Sequence, residues 1–126
     1  MIKILVAEDE RDIRELIAFT LRFANFDVEL ARNGKEAVEK APLVCPDLIL
    51  MDVRMPLMTG YQACKALKEI EATKNIPVIF LSAKGQESEI QEGLEVGATE
   101  YILKPFAPDE LTAKVKTILK QLGKIN

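Results

Sequence analysis

Hydrophobic and polar positions follow two rhythms along this chain. Four apolar runs are continuous: Ile4-Leu5-Val6-Ala7, Leu48-Ile49-Leu50-Met51, Val78-Ile79-Phe80-Leu81 and Tyr101-Ile102-Leu103. Short unbroken runs of this kind predict strands covered on both faces. A shorter run, Val28-Glu29-Leu30, predicts one more strand between the first two. The intervening stretches repeat their apolar residues at helical spacing. Ile13, Leu16, Ile17 and Leu21 predict a first helix over 11–24, with these side chains facing the core. Asn33 with Glu36 three residues on resembles a capping box opening a second helix, which Pro42 should limit.

Thr59 can cap a third helix from Gly60 to about Ile70, with Ala63, Cys64 and Leu67 on one face. Pro77 precedes the fourth strand, where proline is tolerated. Gln86 to Val96 predicts a weaker helix, rich in glutamate and interrupted by Gly93, that ends at Gly97-Ala98. Pro108 opens the last helix, with Leu111, Val115, Ile118, Leu119 and Leu122 inward. Strand and helix therefore alternate five times. Right-handed crossovers then require an α/β fold, (βα)5: a doubly wound, five-stranded parallel sheet with helices on both sides. A length of 126 residues suits one domain over 1–126, and no linker, repeat or low-complexity segment divides it.

The strand ends carry the candidate chemistry. The first run leads into Glu8 and Asp9, the third strand into Asp52, the fourth into Ser82 and the fifth into Lys104. In open α/β sheets, ligands bind beyond the carboxyl ends of the strands, where strand order reverses. The order 2-1-3-4-5 is that of known flavodoxin-like sheets; the apolar pattern alone does not fix it. It makes strands 1 and 3 neighbours, so Glu8 and Asp9 would face Asp52. Close carboxylates repel one another unless a cation sits among them. An oxygen-only cluster favours a hard ion, with Mg²⁺ the best fit. A carboxylate can also act as a nucleophile and form an acyl phosphate. Any one strand-end acid is more often a helix cap; four strands ending in compatible groups favour a phosphate site.

Bulk properties narrow the reading further. Net charge is −3, which argues against nucleic-acid binding by this chain alone. No apolar run approaches the roughly 20 residues needed to span a bilayer. The start lacks a signal-peptide pattern, so no membrane association and a cytoplasmic location are expected. Cys45 and Cys64 form no metal-ligand spacing and read as two half-buried thiols. There is no histidine, which removes Ser-His catalysis and any phosphohistidine within this chain.

Taken together, the motifs resemble the receiver domain of two-component response regulators, the chemotaxis regulator included, over essentially the whole length. They are Glu8-Asp9, the stretch from Met51-Asp52-Val53-Arg54-Met55-Pro56 through Gly60, Ser82-Ala83 and Lys104-Pro105-Phe106. Each is weak alone; in order and at strand ends they are specific. The resemblance implies that Asp52 is the phosphoacceptor. It implies that Asp9 binds Mg²⁺ directly, Glu8 through water, and Arg54 through its backbone carbonyl. Lys104 would contact the phosphoryl group, Ser82 would hydrogen-bond it, and Tyr101 would be the aromatic switch. The Lys104–Pro105 bond would be cis. Arg54 and Lys84 would border the phosphate, with no direction assigned to their effect.

The implied partners are a histidine kinase or histidine phosphotransfer protein, acting in trans, and a downstream effector or output domain. The Gln86–Val96 segment, the fifth strand and the last helix would form the switching surface. Its glutamates, with Lys114, Lys116 and Lys120, would support a phosphorylation-dependent homodimer or else be ordinary solvated faces. Such a chain promotes its own modification and is not an enzyme in the usual sense.

Three alternatives fit less well. An aspartate-nucleophile phosphohydrolase would carry a DxD pattern where Glu8-Asp9-Glu10 stands. A flavodoxin-like cofactor module would need a phosphate loop rich in Ser, Thr and Gly there. A receiver-like module that binds partners without phosphorylation would not need the intact acid cluster. The chain could also be the N-terminal regulatory part of a longer DNA-binding regulator.

Overall fold

The chain runs β1 (Lys3–Ala7), α1 (Arg11–Phe23), β2 (Asp27–Ala31), α2 (Gly34–Val44), β3 (Leu48–Asp52), α3 (Gly60–Lys68), β4 (Val78–Ala83), β5 (Glu100–Lys104) and α4 (Pro108–Gln121). The structure is a computed structural model that describes residues 1–83, 97, 100–104 and 106–126. The expected helix over 86–96, Lys84 and the Lys104–Pro105 peptide bond lie outside the described residues.

All strand pairs are parallel, in the order β2-β1-β3-β4-β5. The order matches the expected doubly wound sheet. β1 and β3 pair Ile4 with Leu48 and Ala7 with Met51, and β3 and β4 pair Asp52 with Leu81. The carboxyl ends of the central strands are therefore level. Every residue of β3 is buried, as expected for a strand covered on both sides.

Side chains alternate across the sheet and feed two cores. One face packs Ile4, Val6, Leu48, Leu50, Ile79 and Leu81 against Ile17 and Leu21 of α1 and Leu111, Val115, Ile118 and Leu119 of α4. The other packs Leu5, Ile49, Met51, Val78 and Phe80 against Ala37 and Ala41 of α2 and Ala63, Cys64 and Leu67 of α3. At the free edge of β2, Arg22 donates to the Val28 carbonyl and Lys40 to the Leu30 carbonyl. Two outward acceptors of the edge strand are thereby occupied, which blunts pairing with another chain.

Several expectations are corrected. Leu16 is not a core residue: it is 47% exposed, and with Phe19 and Phe23 it forms an apolar stripe on the outside of α1. Ala18 and Thr20 take the inward positions, and the Thr20 hydroxyl is satisfied by the Leu16 carbonyl at 2.8 Å. Periodicity could not separate these faces because α1 is apolar over more than one side. Leu122 is not inward either: it stands at the C-cap of α4, where the helix has ended, and is exposed. α2 does not stop before Pro42 but passes through it to Val44, closing on Cys45 in left-handed geometry. Proline near a helix end forfeits one hydrogen bond, and the Cys45 amide still reaches the Ala41 carbonyl.

Asn33 does cap α2, accepting from the Glu36 amide at 2.8 Å. The reciprocal half of the box goes elsewhere: Glu36 accepts from the Arg32 amide and guanidinium. The Thr59 cap forms a complete box with Gln62. The thiols are unlike each other rather than both half-buried, since Cys45 is exposed and Cys64 buried.

Candidate functional site

Strand register brings the expected residues to one edge of the sheet. Glu8 follows β1, Asp52 ends β3, Ser82 lies near the end of β4 and Lys104 ends β5. Glu8 is fully buried, Asp52 keeps 9% of its surface and Ser82 1%. Asp9 is exposed. One carboxylate oxygen from each of Glu8, Asp9 and Asp52 lies within 4.8 Å of the others. The three acids thus form a graded cluster, with Glu8 at its floor and Asp9 at its mouth.

Lys104 ties the cluster together. Its Nζ lies 3.0 Å from Glu8 Oε1 and 3.1 Å from Asp52 Oδ2. Burial works against the ammonium, but its hydrogen bond to Glu8 and the charges of Asp52 and Glu8 outweigh it, so the pKa of Lys104 stands above its ordinary 10.5. Asp9 is held above its ordinary 3.8, first by desolvation and then by its hydrogen bond with Glu8. Buried charges persist when paired and hydrogen-bonded. Glu8 meets that condition: its second oxygen accepts the Glu10 amide at 3.2 Å. Arg14 of α1 donates to the backbone carbonyls of Glu8 and Asp9, fixing the turn that presents both acids.

A cleft of about 360 Å³ opens over the cluster, lined by Asp9, Glu10, Asp52, Val53, Arg54, Leu81 and Lys104. Arg54 is therefore at the mouth of the site. Tyr101 is not at the site. It is buried on β5, with its ring 5.7 Å from that of Phe80. Lys114, Lys116 and Lys120 are exposed on α4.

Sequence reasoning treated Gly60 as a helix start and as the end of the motif that begins at Met51. Its closer role is steric: a Cβ on Gly60 would lie 2.3 Å from the Asp52 carbonyl oxygen. The Gly60 amide also donates to the Val53 carbonyl at 2.9 Å. The first turn of α3 is thus seated directly on the peptide that carries Asp52. Gly34 makes a similar approach to the Met58 carbonyl in the same loop, where a Cβ would come within 2.2 Å. Between them Leu57 has φ +68°, and the Met58 amide reaches back to the Pro56 carbonyl at 2.7 Å. A glycine directly after a threonine cap was the available signal, but the contact behind it spans distant segments.

The donor chemistry suits a small hard cation. Three carboxylates converge, and the cluster contains no nitrogen or sulfur ligand. The Lys104 ammonium is paired with it and the buried Ser82 hydroxyl stands near the same ends of the strands; both are complements of an anionic phosphoryl group.

The family model for the response regulator receiver domain matches residues 4–116. The chain is 43% identical over 120 residues to the phosphate regulon transcriptional regulatory protein PhoB of Pseudomonas aeruginosa, covering 95% of this chain and 52% of that protein. It is 41% identical over 119 residues to the alkaline phosphatase synthesis transcriptional regulatory protein PhoP of Bacillus subtilis, covering 94% and 49%. The chain spans about half the length of these curated relatives. Among solved structures, the chemotaxis response regulator CheY4 of Vibrio cholerae superposes with a TM-score of 0.89 at 37% identity, covering 94% of this chain and 99% of that one. The receiver domain of a Pseudomonas aeruginosa sensor histidine kinase, solved with a magnesium ion coordinated in its active site cleft, gives a TM-score of 0.84 at 31% identity, covering 91% and 94%. Strand order, strand-end chemistry and these likenesses agree: the chain belongs to the response regulator receiver domain family of two-component signal transduction.

Proposed function

We propose that the chain accepts a phosphoryl group on Asp52 from a histidine kinase or histidine phosphotransfer protein. The observation that carries this reading is the position of Asp52, nearly buried, 3.1 Å from Lys104 and clustered with Glu8 and Asp9. An Asp52 oxygen attacks phosphorus, and the P–N bond of the donor's phosphohistidine breaks. The imidazole leaves with the bonding electrons and takes a proton from solvent. Phosphoryl transfer needs positioning and charge stabilisation above all. Lys104 holds the Asp52 carboxylate in place and then meets the added phosphoryl oxygens. Ser82 supplies a hydroxyl to the same group.

Asp9, Asp52 and the Arg54 carbonyl are the groups assigned to Mg²⁺, with Glu8 acting through water. When bound, Mg²⁺ supplies the positive charge that lets carboxylates and phosphoryl oxygens share one small space. The buried position of Glu8, already engaged by Lys104 and the Glu10 amide, supports its indirect role.

These 126 residues contain no histidine, so the donor histidine lies outside them. The exposed Leu16-Phe19-Phe23 stripe lies on α1, which starts two residues after Asp9. That exposed apolar stripe, on the helix that follows the loop carrying Asp9, is the surface we assign to the donor. The new charge on Asp52 engages Ser82 and Lys104 and biases the β5–α4 surface between two arrangements. That surface controls a downstream effector or output domain. The curated relatives are about twice as long and are transcriptional regulatory proteins, which supports an output in gene control. No described helix is long and apolar enough to cross a membrane, consistent with action in the cytoplasm.

Intact mass after incubation with acetyl phosphate and Mg²⁺ tests the reading. One phosphoryl adduct is expected, absent from Asp52→Asn and absent without Mg²⁺. An unmodified, folded wild-type protein would reject it.

A further inference from the structure

Three aromatic rings cross from α3 to β5. Tyr61 meets Phe80 edge-to-face, with centroids 5.1 Å apart at 86°. Phe80 in turn packs on Tyr101 at 5.7 Å and 49°. Both separations fall in the range where aromatic quadrupoles attract. Phe80 is fully buried between its register partners, Met51 of β3 and Tyr101 of β5. It stands two residues before Ser82, so the two share a face of β4.

The near end of this chain of rings is anchored at the reaction centre. Tyr61 follows Gly60, whose Cα rests on the Asp52 carbonyl and whose amide is held by Val53. The Thr59–Gln62 capping box stiffens the same turn. The backbone that carries Tyr61 is therefore seated on the peptide of Asp52. The far end is Tyr101, 8% exposed.

We infer that Tyr61 is a positioning residue of the switch: through Phe80 it holds Tyr101 in its buried place, and so sets the balance between inward and outward states before any phosphoryl group arrives. This rests on the proposed function and on the role of aromatic switch, turning between an inward and an outward place, that the receiver resemblance implies for Tyr101. Linkage makes the effect reciprocal. A change that loosens Tyr101 also disfavours the arrangement that accepts the phosphoryl group.

The chain has two tyrosines and no tryptophan. Replacing Tyr61 therefore leaves Tyr101 as the sole phenol and a clean fluorescent reporter. Tyr61→Phe keeps the ring; Tyr61→Leu removes it. In the unmodified protein, acrylamide should quench Tyr101 weakly in Tyr61→Phe. In Tyr61→Leu the outward-to-inward ratio should rise about two- to tenfold, the worth of one aromatic contact. Phe80→Met combined with Tyr61→Phe breaks the chain at its middle with little change in volume, and should raise quenching likewise. Adduct formation with acetyl phosphate should slow in both ring-breaking variants and be retained in Tyr61→Phe.

Equal quenching in all three folded proteins would overturn the inference. If no variant and not the wild type forms an adduct, the phosphoacceptor reading fails, while the quenching comparison still decides the role of Tyr61.

Discussion

The Cα of Gly60 is packed against the backbone carbonyl of Asp52, leaving no room for a side chain between α3 and the end of β3. A Cβ there would sit 2.3 Å from the oxygen and 3.1 Å from the carbonyl carbon. The obstacle is main chain on both sides, so neither can step aside without moving the other. Gly60→Ala should therefore displace the turn that carries Asp52 and destabilise the fold by about 1–3 kcal/mol, the usual range for overpacking. Urea denaturation measures the loss of stability, and the rate of adduct formation with acetyl phosphate measures the displacement. Wild-type values for both would show that the loop yields without strain.

Lys104 bridges Glu8 and Asp52 at 3.0 and 3.1 Å, so it competes with any cation for the same acids. Lys104→Met should tighten Mg²⁺ binding, because a like charge is removed from the cluster. The same change should slow modification of Asp52, because the ammonium no longer orients the carboxylate or meets the phosphoryl oxygens. Mg²⁺ titration by calorimetry and intact mass with acetyl phosphate read the two effects separately. Weaker Mg²⁺ binding together with undiminished modification would contradict both assignments.

Phe19 and Phe23 stack at 6.4 Å and are 70% and 82% exposed. Phe19→Glu removes little buried surface, so stability should stay within about 0.5 kcal/mol. Transfer from a phosphorylated histidine kinase should slow by tenfold or more, since an apolar contact becomes a desolvated charge. Modification by acetyl phosphate, which needs no docking surface, should be unchanged. Equal kinase rates for variant and wild type would move the donor surface elsewhere.

The two thiols make a pH experiment possible. Burial pushes the Cys64 thiol up to about 11 from its ordinary 9.0, with Lys68 acting weakly the other way. The folded protein therefore keeps this proton where the unfolded chain loses it. Stability from the neutral thiol is complete below pH 9 and is lost as pH rises to 11, by about 3 kcal/mol for a two-unit shift. The stability difference between wild type and Cys64→Ala should shift in favour of the variant over that window. A thiol reagent at pH 8 should label Cys45 in the native protein and reach Cys64 only on unfolding. A difference that stays constant from pH 8 to 11 would show that Cys64 does not feel its burial.

Much of this protein was legible in one dimension. Continuous apolar runs are a direct consequence of strands buried on both faces, and β3, buried at every position, shows why the rhythm was readable. Helix caps at Asn33 and Thr59 are local, since donor and acceptor lie three residues apart. Strand-end placement of Glu8, Asp9, Asp52, Ser82 and Lys104 followed once the runs were accepted as parallel neighbours. Inward and outward faces of α1 were harder, because Leu16, Phe19 and Phe23 are as apolar as the residues beneath them. Only the neighbouring sheet decides which stripe is covered.

What the sequence by itself determined was the set of elements and the identity of the groups at their ends, because both depend on local periodicity and chemistry. Tertiary structure alone decided how those groups divide their work. It sank Glu8 beneath Asp9, set Lys104 between Glu8 and Asp52, and pressed Gly60 onto the Asp52 peptide. It also lined up Tyr61, Phe80 and Tyr101 from three separate elements. These relations join residues up to 96 positions apart. Their distances are set by sheet register and helix packing, which no stretch of chain encodes on its own.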